Sequence, residues 1–424
     1  MDITVARVAS LLGSIRPPSD KSLTHRSFLF GAIAEGESVV RNPLLGEDCI
    51  STLRCLAQMG LDYRIIDGSL VVIRPAPEWR QPVEPLDCGN SGTTMRLLSG
   101  LVASRELDVT MIGDASLSRR PMKRIAAPLR LMGATVEGDT PPLHIRGGQL
   151  SGISYESPVA SAQIKSCVLL AGLRADGETW VEEPSLSRDH TERMLRGAGV
   201  DVLGGGTKVG VRGGSRLNGF ELTVPGDISS AAFFMVGAAI VPGARLDINE
   251  LSLNPSRTGI LDVLIQCEAD FAVDNERLDF GEPVGEMQIR FRSGLRPFRI
   301  EGALVPRLID EIPVLAVLAS QCDGVSEIRD ARELRVKESD RIELVALGLR
   351  AMGVRVETFE DGMAIHGPAV LRGAEIDAHG DHRIAMAFAI AGLIAEGPTR
   401  VAGSESIATS FPGFEKELES IIVV

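Results

Sequence analysis

Six times along the chain a small polar head opens an apolar run of helical length, and each run ends near glycine before alternating, strand-like sequence. The spacing is roughly seventy residues, which marks an internal repeat. The heads are Asp20-Lys21-Ser22, Asn90-Ser91-Gly92-Thr93, Ser161-Ala162-Gln163, Asp227-Ile228-Ser229-Ser230, Asp310-Glu311-Ile312-Pro313 and Gly380-Asp381-His382. The apolar bodies at 28–34, 95–102, 167–173, 231–240, 314–320 and 384–393 predict six buried helices. Ser, Thr, Asp and Asn favour helix starts because their side chains accept bonds from the first-turn N–H groups. Each such end carries about half a positive charge and attracts anions.

Between these bodies lie β-branched, alternating stretches at 38–40, 108–111, 245–248 and 354–357. Second helices are predicted to end at Met59-Gly60, Met132-Gly133, Gly197-Ala198-Gly199 and Met352-Gly353, where glycine suits the left-handed cap. The unit reads as βαβαββ, and the class is α/β. A chain of 424 residues is long for one core and suits two domains of about 200 residues. Pro-punctuated stretches at 14–19 and 224–227 read as the crossings between them. The predicted domains are therefore 15–225 with three repeats, and 1–14 plus 226–424 with three more. Stacked repeats align their heads, and five of the six heads carry or adjoin Lys or Arg, so the set reads as one anion site.

Bulk properties narrow the partners. Formal net charge is −13, which argues against nucleic acid and acidic membrane surfaces. Locally basic heads within an acidic molecule point instead to a small anionic ligand. No apolar run reaches the roughly twenty residues that span a bilayer. Residues 1–9 include Asp2 and lack a basic, apolar leader pattern, so a cytoplasmic location is expected. Six scattered cysteines without a C-x-x-C pair read as buried thiols.

Four constellations carry candidate chemistry. The segment 20–26 places Lys21, Ser22, His25 and Arg26 within about a turn, which suits a phosphate or, alternatively, a cationic helix face. Arg119, Arg120, Lys123, Arg124 and Arg130 crowd one loop and helix start, as a ligand clamp or a solvated basic face. In 335–341, signs alternate with Lys337 and Arg341 at i,i+4; the choice lies between an ion-paired surface helix and cations for ligand with Glu338 moving protons. In 377–383, Asp377, His379, Asp381 and His382 look like metal ligands, but Arg383 and the helix end oppose a cation, and anion binding by His382 and Arg383 fits better.

Together these motifs closely resemble the 5-enolpyruvylshikimate-3-phosphate synthase family. The matching stretches are Asp-Lys-Ser-Leu-Thr-His-Arg (20–26), Gly-Asn-Ser-Gly-Thr-Thr-Met-Arg (89–96), Arg-Arg-Pro-Met (119–122), Ser-Ala-Gln-Ile-Lys-Ser (161–166), Arg-Asp-His-Thr-Glu (188–192), Arg-Val-Lys-Glu-Ser-Asp-Arg (335–341) and Asp-His-Arg-Ile-Ala-Met (381–386). They occur in order over essentially the whole chain. The resemblance implies a two-domain inside-out α/β barrel, three βαβαββ repeats per domain, with no metal and no organic cofactor. It implies transfer of the enolpyruvyl group of phosphoenolpyruvate to the 5-hydroxyl of shikimate 3-phosphate, by a monomer without nucleic-acid or membrane partners.

Carried over residue by residue, the resemblance gives Lys21 to both substrates and to acid–base work, its neighbouring cations tending to lower its pKa. Ser22, Arg26, Ser161, Ala162, Gln163, Arg188, Asp310 and Lys337 fall to shikimate 3-phosphate. Gly92, Arg120, Gln163, Arg341 and Arg383 fall to phosphoenolpyruvate, with Asp310, Glu338 and His382 handling or orienting protons. Pro18-Ser19 departs from the Pro-Gly common before the first motif, and Thr409 stands where one subgroup has lysine. Ser161-Ala162-Gln163 and Thr409 resemble the subgroup that often tolerates glyphosate, whereas Gly92 resembles the sensitive form. The rival enzyme is UDP-N-acetylglucosamine enolpyruvyl transferase, whose loop cysteine before an Arg-Pro pair is absent from 114–120. A catalytically silent binding protein, or a nucleic-acid end-processing relative, is the non-enzymatic or remote alternative.

Overall fold

The computed structural model describes residues 2–423 as a mixed α/β fold divided into two units. One unit comprises Ser19–Val224 with Leu278–Glu282; the other comprises residues up to Pro18, Pro225–Arg277 and those from Pro283 onward. Each has its own apolar core.

In the unit built on Ser19–Val224, the helices Lys21–Gly31, Gly92–Ala103 and Ala162–Gly172 form the centre. Their bodies are apolar on most sides, which is what a helix surrounded by protein requires. The last two cross so closely that a Cβ on Gly100 would lie 2.2 Å from the Cys167 carbonyl oxygen, so only glycine fits there. Three four-stranded sheets flank them. Each has one parallel pair followed by two antiparallel pairs, as in Leu86–Asp87, Asp108–Ile112, Leu143–Arg146 and Thr135–Glu137. Residues along Asp108–Ile112 alternate between buried and exposed, matching the period of a strand with one covered face. The short segment Leu278–Glu282 packs here too, with Phe280 stacked 4.9 Å from Phe220.

In the other unit the central helices are Ile228–Ile240, Ile312–Ala319 and His382–Gly392, all three buried along essentially their whole length. The helix Arg341–Ala351 packs on the last of them, where a Cβ at Gly348 would meet the Phe388 ring at 2.1 Å. Strand Arg299–Ile300 opens a four-stranded sheet of the same order as those above. Asp2–Val5 pairs antiparallel with Thr399–Ala402, and Ser10–Ile15 lies between Arg245–Ser252 and Ile422–Val423. No sheet closes into a barrel among the described residues.

The predicted helix ends are found. Met59, Met132, Ala198 and Met352 cap helices, and the glycine after each, at 60, 133, 199 and 353, has positive φ. All six cysteines are buried, and burial pushes the Cys167 thiol up to about 12. No helix among the described residues is long and apolar enough to cross a membrane.

One expectation is corrected. Lys337 and Arg341 do not share a helix face. A 3₁₀ turn, Arg332–Val336, ends before Lys337, and the next helix begins at Arg341. Asp340 breaks the pattern by capping, accepting the Glu343 N–H at 3.1 Å, while Arg335 holds its other oxygen at 2.7 Å.

Candidate active site

In the unit built on Ser19–Val224, one cluster gathers around the head of Lys21–Gly31. Asp20 caps the helix through the Leu23 N–H at 2.8 Å, which fixes Lys21 and Ser22 in the first turn. Lys21 pairs with the Asp48 carboxylate at the start of helix Glu47–Gln58. An acid thus lies against Lys21, where the motif suggests neighbouring cations.

One turn on, Arg26 is only 3 % exposed. Its Nε donates to Thr191 Oγ1 at 2.8 Å, one terminal nitrogen to Ser166 Oγ at 2.9 Å, and the other to the Ser22 carbonyl at 3.0 Å. Burial lowers its pKa to about 10, with Glu192 opposing and Arg188 adding to the fall, so it stays cationic near neutrality. His25 faces inward: burial takes it down to about 3, against the pull of Asp48, and keeps the ring neutral. It begins a chain of side-chain bonds, His25 to Thr52 at 2.8 Å, Thr52 to Thr94 at 2.7 Å, and Thr94 to Ser91 at 2.8 Å.

Ser91 caps Gly92–Ala103, and Gly92 stands at its first turn between two guanidinium groups. A Cβ there would lie 3.2 Å from Arg96 Nη1 and 3.4 Å from Arg120 Nη1. Arg120 donates to Asn90 at 2.7 Å; Arg96 donates to Gln163, which donates in turn to Thr93 at 3.0 Å. Gln163 thus ties the head of Ala162–Gly172 to that of Gly92–Ala103. Ser161 is the N-cap residue of Ala162–Gly172 and makes no side-chain cap bond; Glu183 takes its N–H at 2.7 Å. Lys21, Ser22, Arg26, Gly92, Arg120, Ser161, Ala162, Gln163 and Arg188 all lie in this unit. Arg130, from the basic cluster, turns to Asp139 and the Val136 carbonyl instead.

In the other unit a second cluster centres on Asp310, in the bend between Val305–Leu308 and Ile312–Ala319. Arg341 Nη1 lies 3.4 Å from its carboxylate, Lys337 Nζ 3.6 Å and Arg383 Nη2 3.9 Å; Arg383 also donates to its carbonyl at 3.2 Å. Arg341 is 1 % exposed and spends its other nitrogens on Glu338 at 2.6 Å and Asp381 at 2.8 Å. Burial opposes the charge on Arg341, yet Asp381, Glu338 and Asp310 more than offset that and raise its pKa. Asp381 answers in kind: burial, and to a lesser degree Glu338, would raise it, but Arg341 and His382 together hold the carboxyl below its ordinary value. Asp381 also caps His382–Gly392 through the Arg383 N–H at 2.9 Å and accepts Ser339 Oγ at 2.8 Å. His382 is buried at the first position of that helix. Three cations and three carboxylates therefore interlock around Asp310 and Asp381, a pattern suited to exchanging protein carboxylates for ligand anions.

Comparison with known proteins accords with this chemistry. The family model described as EPSP synthase (3-phosphoshikimate 1-carboxyvinyltransferase) matches residues 5–418. The chain belongs to the EPSP synthase family. It is 49 % identical over 424 residues to the 3-phosphoshikimate 1-carboxyvinyltransferase of Desulfitobacterium hafniense, covering 99 % of this chain and 97 % of that protein. It is 49 % identical over 423 residues to the enzyme of that name from Geobacillus kaustophilus, covering 98 % and 99 %. The solved EPSP synthase of Acinetobacter baumannii superposes with a TM-score of 0.90 at 45 % identity, over 100 % of this chain and 98 % of that one. The enolpyruvyl transferase NikO of Streptomyces tendae shares the fold, with a TM-score of 0.80 at 17 % identity, over 99 % and 96 %.

In this EPSP synthase family chain, Asp48 and Arg96 escape sequence reasoning as site members, while Asn90 and Asp381, read as parts of helix heads, take specific roles. Asp48 carries no local signal beyond being an acid in a helix's first turn. Arg96 sits inside a recognised motif, but only the fold aims it across Gly92 at Gln163. Asn90 supports Arg120, and Asp381 holds Arg341, each through a partner distant in sequence.

Proposed function

We propose that the residues of these two clusters carry out the reaction of the EPSP synthase family, moving the enolpyruvyl group of phosphoenolpyruvate to the 5-hydroxyl of shikimate 3-phosphate with release of phosphate. As a member of that family the chain is an enzyme, a 3-phosphoshikimate 1-carboxyvinyltransferase of aromatic amino acid biosynthesis. The reaction needs a proton on the methylene carbon, attack of the hydroxyl on the adjacent carbon, and proton removal as phosphate leaves.

The reading distributes the residues as follows. Ser22, Arg26, Ser161, Ala162, Gln163, Arg188 and Lys337 hold shikimate 3-phosphate, while Gly92, Arg120, Gln163, Arg341 and Arg383 hold phosphoenolpyruvate. Lys21 touches both substrates and moves a proton. Asp310 accepts the proton of the attacking hydroxyl, Glu338 handles the methylene proton, and His382 orients. The observation that carries it is the convergence of Lys337, Arg341 and Arg383 on Asp310. A substrate anion binding those cations releases Asp310 from them at the moment a base is wanted. Acid–base groups of this kind contribute about 10²–10⁴-fold.

The same reading takes 15–225 as the shikimate 3-phosphate domain and 1–14 with 226–424 as the phosphoenolpyruvate domain. Each would be an inside-out α/β barrel of three βαβαββ units, a view supported by the repeated order of the four-stranded sheets. It also takes the protein as a cytoplasmic monomer acting on small metabolites alone. The test is phosphate release from phosphoenolpyruvate. Release with shikimate 3-phosphate and none with UDP-N-acetylglucosamine is expected; the reverse pattern overturns the assignment.

A further inference from the structure

Beneath the head of Ala162–Gly172 lies a buried cluster that none of the proposed roles uses. Lys165 is 1 % exposed, yet its ammonium sits 2.9 Å from Glu183 Oε2 and 2.8 Å from Glu192 Oε1. Burial alone would lower the Lys165 pKa, and Glu192 and Glu183 more than offset it. Arg26 lies near enough to Glu192 for its charge to be felt. Two cations therefore balance two carboxylates inside the unit, which is the condition for such charges to survive there.

Glu183 differs from its partners in reaching outward. Oε1 accepts the backbone N–H of Ser161 at 2.7 Å. Oε2 accepts Ser187 Oγ at 2.7 Å, and Ser187 is the residue before Arg188. One carboxylate thus grips both the Ser161 head and the Ser187 turn, while Lys165 fixes the carboxylate from below and donates to the Ser187 carbonyl at 3.5 Å. A helix usually caps itself with the Ser hydroxyl. Here Glu183 holds Ser161 through its backbone, and the hydroxyl is not spent on the cap.

We infer that Glu183 is a positioning residue that sets the Ser161 head and the Ser187–Arg188 turn at the spacing the phosphorylated sugar acid requires. The inference rests on the shikimate 3-phosphate reading of Ser161 and Arg188. An amide in place of this carboxylate can offer its oxygen to Ser161 only by turning N–H groups toward Lys165 and Ser187, so one grip is lost.

The experiment is steady-state kinetics of Glu183→Gln with each substrate varied in turn. KM for shikimate 3-phosphate should rise about tenfold or more, as expected for a lost hydrogen bond to a charged group. KM for phosphoenolpyruvate and kcat should stay within about threefold of wild type. The double variant Glu183→Gln, Lys165→Met removes one charge of each sign, keeps the cluster balanced, and should show the same split; it serves where the single variant does not fold. Unchanged KM for shikimate 3-phosphate in a folded variant, or an equal rise for both substrates, overturns the inference. Wild-type protein that fails to consume shikimate 3-phosphate at all would count against the underlying reading instead.

Discussion

Asp48 sets its carboxylate against the Lys21 ammonium, joining the starts of two helices, Glu47–Gln58 and Lys21–Gly31. The side chain of Asp48 is 8 % exposed and that of Lys21 22 %, so the pair is partly withdrawn from water. Such a pair holds a flexible four-carbon side chain in one place, which is what a proton-transferring group needs.

Lys21→Met is expected to lower turnover by at least about a hundredfold, the scale of a lost acid–base group. Asp48→Asn keeps the ammonium but loosens it, and a smaller loss of about tenfold is expected. Phosphate-release rates of the folded variants check both. Turnover near wild type in Lys21→Met removes its proposed role.

Asp310→Ala removes the carboxylate on which three cations converge. Turnover should fall by about a hundredfold or more. The same change takes a competing anion away from Lys337, Arg341 and Arg383, so phosphoenolpyruvate should bind at least as tightly as before. Calorimetric titration separates the two effects, and weaker phosphoenolpyruvate binding together with normal turnover contradicts the account.

A methyl group at Gly92 would press on the ends of two flexible side chains rather than on backbone. Gly92→Ala should therefore fold normally, raise KM for phosphoenolpyruvate, and leave KM for shikimate 3-phosphate unchanged. Glyphosate inhibition should weaken as well; inhibition identical to wild type removes the steric argument.

His25 links pH to stability with a definite sign. Its folded pKa is about 3, below the ordinary value of 6.5, so the unfolded chain binds more protons between those limits. Stability from this residue is intact above about pH 6.5 and is lost as pH falls toward 3. Denaturant unfolding across that window should show the loss, and His25→Gln should flatten it. Equal slopes in both proteins would falsify the assignment of a buried neutral ring.

Much of this was legible before folding. The apolar bodies behind Ser91 and Asp227 lie wholly, and those behind Asp20 and Asp381 mostly, within helices that these residues cap; the body behind Asp20 overruns its helix at Gly31, and Ala34 is already in a strand. Ser161 and Glu311 occupy the same position without a side-chain cap bond, because Ser161 is held by Glu183 and Pro313 pre-forms the first turn of its helix. Alternating charge at 335–341 misled, since a single capping residue, Asp340, overrides helical spacing.

What the amino-acid order determined by itself was local: helix starts, left-handed glycine ends, strand alternation, and which motifs carry charge. These follow from interactions within a few residues, where the chain's own geometry does the positioning. Only the tertiary structure decided that Lys21 meets Asp48, that Gly92 stands between Arg96 and Arg120, and that Arg341 is shared among Asp310, Glu338 and Asp381. Lys21 and Asp48, Gly92 and Arg120, and Arg341 with Asp310 and Asp381 come from separate elements, and the ion pairs among them exist only once packing has excluded water and fixed both ends.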